Sequence, residues 1–532
     1  MDNRDIILGI DSGTSVVKAV AFDLEGQQLG CASVRNTYQR GEDGSALQSM
    51  AQTWHDCVGA IRKLGDDIEN LASRVVALAV TAQGDGTWLV GKDNRPVGDA
   101  WIWLDARAAE TVTRLERSEL SRQRFSATGT GLNTCQQGAQ LAYMNVHHRE
   151  QLDSAESVMH CKDWLYLNLT GVRATDPSEA CFTFGNFRHR DYEPVVIDAL
   201  GLGDRRYLLP EIVDGSQITH PLTPEAAEAI GLRAGTPVCL GYVDMVMTGL
   251  GAGVHTGAAG AGNNNTACSI LGSTGVHMRS VHSSEVILNA EQTGYVITLP
   301  IANQVTQMQT NMAAALNLDW LLNMTLTLIE EFGGTADHPT LVKHLDQWLS
   351  KTHADGLLYH PYISLAGERG PFVNADARAS FIGLRYSHGY GDLLRAVIEG
   401  IGMAARDCYR AMSDVAPHEL RLSGGAVRSA QVRRILSACI GTPVRVSGRD
   451  EAGAAGAAMM AAVAIGAYPD MDSCIATWVT PLLSAVEVPP PELASHYDRL
   501  FETYRQTRQV LPPVWSELQS INQAAQRRAC KE

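Results

Sequence analysis

Two aspartates stand where short apolar runs stop, each placed for chemistry. Asp244 lies in Leu240-Gly-Tyr-Val-Asp244-Met-Val-Met-Thr-Gly-Leu-Gly-Ala-Gly253. A lone acid at the end of a buried strand points into a cleft in many α/β chains. It is equally suited to cap a helix start by accepting free backbone N–H groups. Asp11 opens Asp11-Ser-Gly-Thr-Ser15, with Lys18 close behind. Gly13 permits a backbone whose successive N–H groups converge on one point, which suits phosphate. Thr14 and Ser15 add hydroxyl donors, and Lys18 adds a positive charge. Asp11 would repel phosphate, so it suits Mg²⁺ or its waters. Alone, this turn reads first as an ordinary Asp-Ser-Gly hairpin.

Three further segments repeat the theme. Leu271-Gly272-Ser273-Thr274-Gly275 restates the strand, glycine-hydroxyl turn and strand plan of the N-terminus. Gly424-Gly425, at a strand-to-helix turn, lets a flat ligand approach the backbone and presents helix-start N–H groups. Gln83-Gly-Asp85-Gly follows a strand. Asp85 could accept from two neighbouring hydroxyls, although Gly-Asp-Gly is also good chemistry for a strand-ending turn.

The elements that position these groups follow from periodicity. Residues 6–10, 15–23 and 28–34 read as an antiparallel meander. Residues 52–64 carry Trp54, Val58, Ile61 and Leu64 on one helical stripe, and 75–81 is a short buried strand. Residues 127–140, rich in Gly, Thr, Asn and Gln, read as a cleft-edge loop with Asn133 as a hydroxyl binder. Helices are expected over 313–331, 341–349, 392–412 and 431–440, and strands over 419–423 and 443–446. Asp450 to Ala458 opens a small-residue helix suited to tight packing.

A chain of 532 residues exceeds one ordinary core, so two large domains are expected, 1–254 and 255–532. Hydrophobic content of 45% with 19% charged residues is that of a globular protein. The formal charge of −15 argues against nucleic acid and anionic membranes as partners. No run of about 18 apolar residues predicts a membrane span. The N-terminus lacks the apolar core of a signal peptide, which points to the cytoplasm. The 11 cysteines include no Cys-x-x-Cys pair, as for reduced cytosolic thiols. Residues 255–265 read as a low-complexity loop.

Asp11-x-Gly13-Thr14-Ser15-x-x-Lys18 resembles the first phosphate loop of the superfamily of sugar kinases, heat-shock-70 proteins and actin. Ala379-Ser-Phe381-Ile-Gly383-Leu384, followed after seven residues by Asp392-Leu-x-x-Ala-Val-Ile-Glu399, resembles the C-terminal signature of the FGGY carbohydrate kinases. Met159-His-Cys-Lys162-Asp163-Trp164-Leu, with Leu169-Thr-Gly171, resembles that family's central segment. The resemblance runs from Ile7 to about Gly466. It implies an α/β fold of two ribonuclease-H-like domains, of the actin/hexokinase ATPase type, around a central cleft.

The resemblance also implies roles. Asp244 would be the general base, and Asp11 would face Mg²⁺. Gly13, Thr14, Ser15 and Lys18, with Gly272, Ser273 and Thr274, would hold the phosphates of ATP. Gly424, Gly425 and Arg428 would hold the adenosine. Gln83, Asp85, Trp103, Asn133 and Asp244 would meet the substrate. Trp101 and Trp103 alternate on an expected strand, so one should reach the site and the other the core. Asp105 and Arg107 read as a structural ion pair, and Asp176 as part of a structural turn. Glycerol kinases carry Arg-Glu where this chain has Gly84-Asp85, and Gln where it has Met245; xylulose kinases carry Met-His at the first position. Residues 9–22 and the Ala-Gln-Gly-Asp-Gly segment resemble erythritol-using members more closely. The implied activity is ATP-dependent phosphorylation of a primary hydroxyl of a small polyol, erythritol first, in carbohydrate catabolism. Another polyol or ketopentose, or a catalytically silent sugar sensor, are the alternatives. A homodimer is a further expectation.

Overall fold

The computed structural model describes residues 5–255 and 265–529, so most of the expected loop at 255–265 lies outside the described residues. The first half is organised by a six-stranded sheet. Its strands are β1 (Ile6–Ser12), β2 (Val16–Phe22), β3 (Gln28–Arg35), β4 (Val75–Ala82), β5 (Thr219–Pro221) and β6 (Pro237–Leu240). The spatial order is β5-β6-β4-β1-β2-β3. The meander β1-β2-β3 is antiparallel, whereas β4 and β6 run parallel to β1. Parallel neighbours need crossovers, and α1 (Met50–Asp67) supplies the first.

The second half repeats the plan with β7 (Thr266–Leu271), β8 (Gly275–His282), β9 (Tyr295–Thr298), β10 (Gln304–Asn311), β11 (Glu419–Ser423) and β12 (Val444–Val446). Their order is β9-β10-β8-β7-β11-β12. Again three antiparallel strands adjoin two parallel ones, β11 and β12, beside the first strand of the half. The two halves thus share a five-strand core, and each adds one outer strand.

Period-two alternation divides the first sheet between two cores. Ile6, Leu8 and Ile10 pack with α1 residues Cys57, Ile61 and Leu64. Ile7, Val20 and Phe22 face the other way, onto Met247, Leu250 and the Ala-Gly helix, Ala452–Ala464. Each such buried side chain contributes roughly 1.5–3 kcal/mol relative to exposure. The Ala-Gly helix belongs to the second half of the sequence, yet it lies on the first sheet. A Cβ at Gly9 would run into the carbonyl of Ala454, and one at Gly456 into that of Met247. Small residues are required because backbones meet there.

The helices expected at 392–412 and 431–440 are Tyr390–Met412 and Ala430–Ile440. The helix expected at 341–349 divides at His344 into His338–Lys343 and Leu345–Leu349. Residues 127–140 are only partly loop, because a helix occupies Gln137–His147. Gly129, with φ of 64°, ends the preceding helix. The tail forms two helices, Pro491–Val510 and Pro512–Ala529. No helix among the described residues is long and apolar enough to cross a membrane.

Candidate active site

Strand β6 ends at Leu240, and α2 (Asp244–Ala252) starts four residues later. Three hydrogen bonds fix the turn between them. The amide of Gly241 donates to the Val80 carbonyl at 2.9 Å. The Thr81 hydroxyl donates to the Tyr242 carbonyl at 2.6 Å, and the Val243 amide donates to the Ser178 hydroxyl oxygen at 3.0 Å. The helix N-cap is Val243, so Asp244 occupies the first helical position and the capping alternative does not describe it. Its Oδ1 accepts the Met245 amide at 2.6 Å. Desolvation, then the negative charge of Asp11, push this carboxyl up to about 8; the Met245 and Gly84 amides and Asp85 act more weakly. A carboxyl poised near neutral pH is suited to take a proton.

Gly84-Asp85 lies beside Asp244 at the end of β4. A Cβ at Gly84 would sit 2.5 Å from Val243 Cγ2 and 3.3 Å from Glu179 Oε1, so only glycine fits under the Asp244 turn without displacement. Asp85 adopts φ of 58° and is 6% exposed. Its Oδ2 accepts the Cys135 thiol at 3.2 Å, while Oδ1 has no hydrogen-bond partner. Burial raises Asp85 to about 6, against the thiol bond, His160 and Arg369, which pull it down. Asn133 donates to the Tyr295 hydroxyl at 3.1 Å, bringing β9 of the second half to this wall.

A chain of polar bonds ties the substrate segment to the first turn. Trp103 Nε1 donates to Thr14 Oγ1 at 2.8 Å, and Thr14 donates to Gln83 Oε1 at 2.9 Å. Gln83 in turn donates to Gln48 Oε1 at 2.6 Å. Both ends of the Gln83 amide are therefore engaged within the protein. Trp101 and Trp103 do not share a strand, contrary to expectation. The strand covers Ala100–Trp101, and Trp103 rides on a turn closed by the Asp105 amide and the Ile102 carbonyl. Trp101 is buried with the Arg107 guanidinium 3.3 Å from its ring centre, whereas Trp103 is 42% exposed. Asp105 and Arg107 form the expected ion pair, at 2.6 Å.

In the first turn, Gly13 donates to the Val16 carbonyl at 3.0 Å, closing the β1-β2 hairpin, and Ser15 is exposed. Asp11 is paired in register with Lys18. Desolvation lifts Asp11 to about 6; Lys18 opposes the shift and Glu451 adds to it. Lys18 is not free, because its Nζ is 2.7 Å from Glu451 Oε2. The second turn differs. Gly272, Ser273 and Thr274 are exposed, and the backbone carbonyls of Gly272 and Ser273 accept the Ala315 and Ala314 amides at 2.9 and 2.8 Å. Gly424, at φ of 122°, abuts the Leu271 carbonyl, so the adenosine-type loop touches the end of β7. Gly425 has no atom within 4 Å of where a Cβ would stand, and Arg428 is exposed.

The site residues therefore fall into two groups. Asp11, Gly13, Thr14, Ser15, Lys18, Gln83, Asp85, Trp103, Asn133 and Asp244 gather at strand ends of the first half. Gly272, Ser273, Thr274, Gly424, Gly425 and Arg428 line those of the second. Sequence reasoning missed Ser178, Glu179, Tyr295, Arg369 and the partner role of Glu451. Pro177 at a helix start was a signal for Ser178 and Glu179. Among the described residues, no group of three or more His, Cys, Asp or Glu could hold a metal unaided. Asp11 alone, supplemented by phosphates and water, is the donor set that suits nucleotide-borne Mg²⁺.

Models of the FGGY family of carbohydrate kinases match the chain twice, the N-terminal domain over residues 6–251 and the C-terminal domain over 267–465. An erythritol kinase of Brucella abortus is 62% identical over 519 residues, covering 98% of this chain and 99% of its own. A xylulose kinase of Escherichia coli is 29% identical, covering 95% and 99%. Among solved structures, the ligand-bound xylulose kinase of Lactobacillus acidophilus superposes with a TM-score of 0.85 at 20% identity, covering 97% of this chain and 100% of its own. Plasmodium falciparum glycerol kinase with ADP gives 0.80 at 17% identity, covering 95% and 98%.

Proposed function

Because the chain belongs to the FGGY family of carbohydrate kinases, we propose that it transfers the γ-phosphoryl group of ATP to a primary hydroxyl of erythritol. The products are erythritol phosphate and ADP. The observation that carries the mechanism is the Asp244 carboxyl, fixed at the first turn of α2 and raised to about 8 beside Gly84-Asp85. Asp244 takes the proton of the attacking hydroxyl as its oxygen bonds to the γ-phosphorus and the bond to the β-phosphate oxygen breaks.

Alignment and charge neutralisation supply most of the remaining rate. The amides and hydroxyls around Gly13 and around Gly272, Ser273 and Thr274 hold the phosphates. Lys18 contributes charge from its pairing with Glu451. Gly424, Gly425 and Arg428 line the adenosine face. Asp11 would help hold a nucleotide-borne Mg²⁺, which would supply neutralisation of phosphate charge. Asp85 reads substrate hydroxyls through Oδ1, the oxygen that Cys135 leaves unpaired. Trp103 offers its exposed ring to the carbon chain. Asn133 reaches the same wall from the loop before α-helix Gln137–His147. A reaction that spends ATP on a small neutral polyol belongs in the cytoplasm.

The test is to incubate the protein with MgATP and erythritol and follow phosphorus by NMR. A new phosphomonoester on a primary carbon, formed in step with ADP, is expected. ATP consumed to free phosphate alone would overturn the proposal.

A further inference from the structure

A buried acid outside the roles assigned so far lies against Gly84, whose amide bonds the proposed base. Glu179 belongs to the helix Pro177–Phe184 and is 0% exposed. Neither of its carboxyl oxygens has a hydrogen-bond partner. The imidazole Nε2 of His160 stands 3.4 Å from Oε2, in ion-pair range, and has no hydrogen-bond partner either. Burying a carboxyl without partners is costly, so such an arrangement persists where something else supplies them.

The position of Glu179 shows what that could be. Its Oε1 lies 3.3 Å from where a Cβ of Gly84 would stand. The Gly84 amide faces the Asp244 carboxyl on its other side. Gly84 thus lies beside both carboxyls, and the carboxyl of Asp85, next along the chain, acts electrostatically on each and has an unpartnered Oδ1 of its own. The remaining neighbours are accounted for. His160 Nδ1 is held by Asp163 at 3.2 Å, Lys162 is paired with Asp163 and Asp176, and Ser178 supports Val243.

We propose that Glu179 is a specificity-determining residue of the polyol pocket, pairing with a substrate hydroxyl remote from the one that Asp244 deprotonates. This rests on the polyol-kinase reading above. Burial pushes Glu179 well above the usual carboxylate range, although Lys162 opposes it. Burial thus favours the neutral acid, which can donate one hydrogen bond and accept another. A polyol hydroxyl also does both, whereas a charged or purely accepting group would not match. The glycine at 84 is what lets this acid sit against the pocket. Members with a side chain there would screen it.

The experiment compares wild type with Glu179→Gln. Wild-type turnover of erythritol is measured first and tests the kinase reading by itself. In Glu179→Gln, KM for erythritol should rise about tenfold, the loss of one well-placed hydrogen bond, with KM for MgATP unchanged within about twofold. The inhibition constant of glycerol, which has one hydroxyl fewer, should move much less. Infrared difference spectra on adding erythritol should show a perturbed protonated-carboxyl band in wild type that is missing in Glu179→Gln. Glu179→Asp, which keeps the acid but shortens it, serves if the amide variant does not fold, and should show the same KM increase. An unchanged KM for erythritol in the folded variants, or equal changes for erythritol and glycerol, would overturn the assignment and leave Glu179 as a structural acid satisfied by internal water.

Discussion

The two glycine-hydroxyl turns occupy equivalent places in two similar sheets, yet they are built differently. Around the first, Thr14 is bonded to both Trp103 and Gln83, Lys18 to Glu451, and Asp11 lies against the Ala-Gly helix, 2.5 Å from a notional Cβ of Gly453. Around the second, Gly272, Ser273 and Thr274 are exposed, and the carbonyls of Gly272 and Ser273 accept the Ala315 and Ala314 amides. On the proposed function, the same loop chemistry would serve two tasks. A turn locked to the substrate segment positions a reacting centre. A turn with bare donors can close on a diffusible nucleotide at no cost in broken bonds. The two sheets share a plan, and what differs is the set of neighbours around each turn.

Breaking the first-half centre should have the largest effect. Asp244→Asn should lower kcat by at least about 10²-fold, the scale of general-base loss, while equilibrium binding of ATP and erythritol persists. Turnover like that of wild type would remove Asp244 from the mechanism. The pH profile sharpens the same point. Because burial and Asp11 raise Asp244 to about 8, kcat/KM for erythritol should fall roughly tenfold per pH unit below that value. A flat profile between pH 6 and 8 would mean that the base titrates elsewhere.

Second-half changes should move the nucleotide alone. Gly424→Ala places a Cβ against the Leu271 carbonyl at φ of 122°, so KM for ATP should rise about tenfold with KM for erythritol unchanged. Thr274→Ala should cost about fivefold in KM for ATP, one hydroxyl–phosphate bond. Parallel changes in both substrates' KM would erase the proposed division.

The smallest effect concerns stability. A carboxyl whose folded pKa is raised binds its proton more tightly folded than unfolded. Between its unfolded value of 3.8 and about 8, stability therefore falls as pH rises. Asp244→Asn should raise the melting temperature at pH 8 by a few degrees, about 1 kcal/mol or more of relieved desolvation, and leave it unchanged near pH 4. A lower melting temperature at pH 8 would contradict the assignment of a strained base.

Much of this was legible in the sequence for a physical reason: local rules governed it. The β1-β2-β3 meander, the strand into Asp244 and the Gly-Gly turn at 424 follow from alternation and glycine chemistry within a dozen residues. The ion pair of Asp105 and Arg107 is equally local. Trp103 was misplaced because alternation was continued past Trp101, where a turn already begins. Lys18 was read as a free phosphate ligand because its partner, Glu451, is 433 positions away and no local pattern connects them. Glu179 was passed over because its segment reads as a structural turn around Asp176, whereas Asp176 caps the helix Pro177–Phe184 that carries it. Only the fold brings that helix start beneath Gly84 and reveals an acid without a hydrogen-bond partner.

The measurement that bears most directly on the account is ADP release by the wild-type protein over erythritol, threitol, glycerol, ribitol, xylitol, xylulose and ribulose. The account predicts the highest kcat/KM for erythritol, on the proposal that Gly84, Asp85 and Asp244 border the site of a short neutral polyol. A preference for xylulose or ribulose would contradict that reading of the pocket while keeping the kinase, and no ADP release with any of the seven would contradict the activity itself.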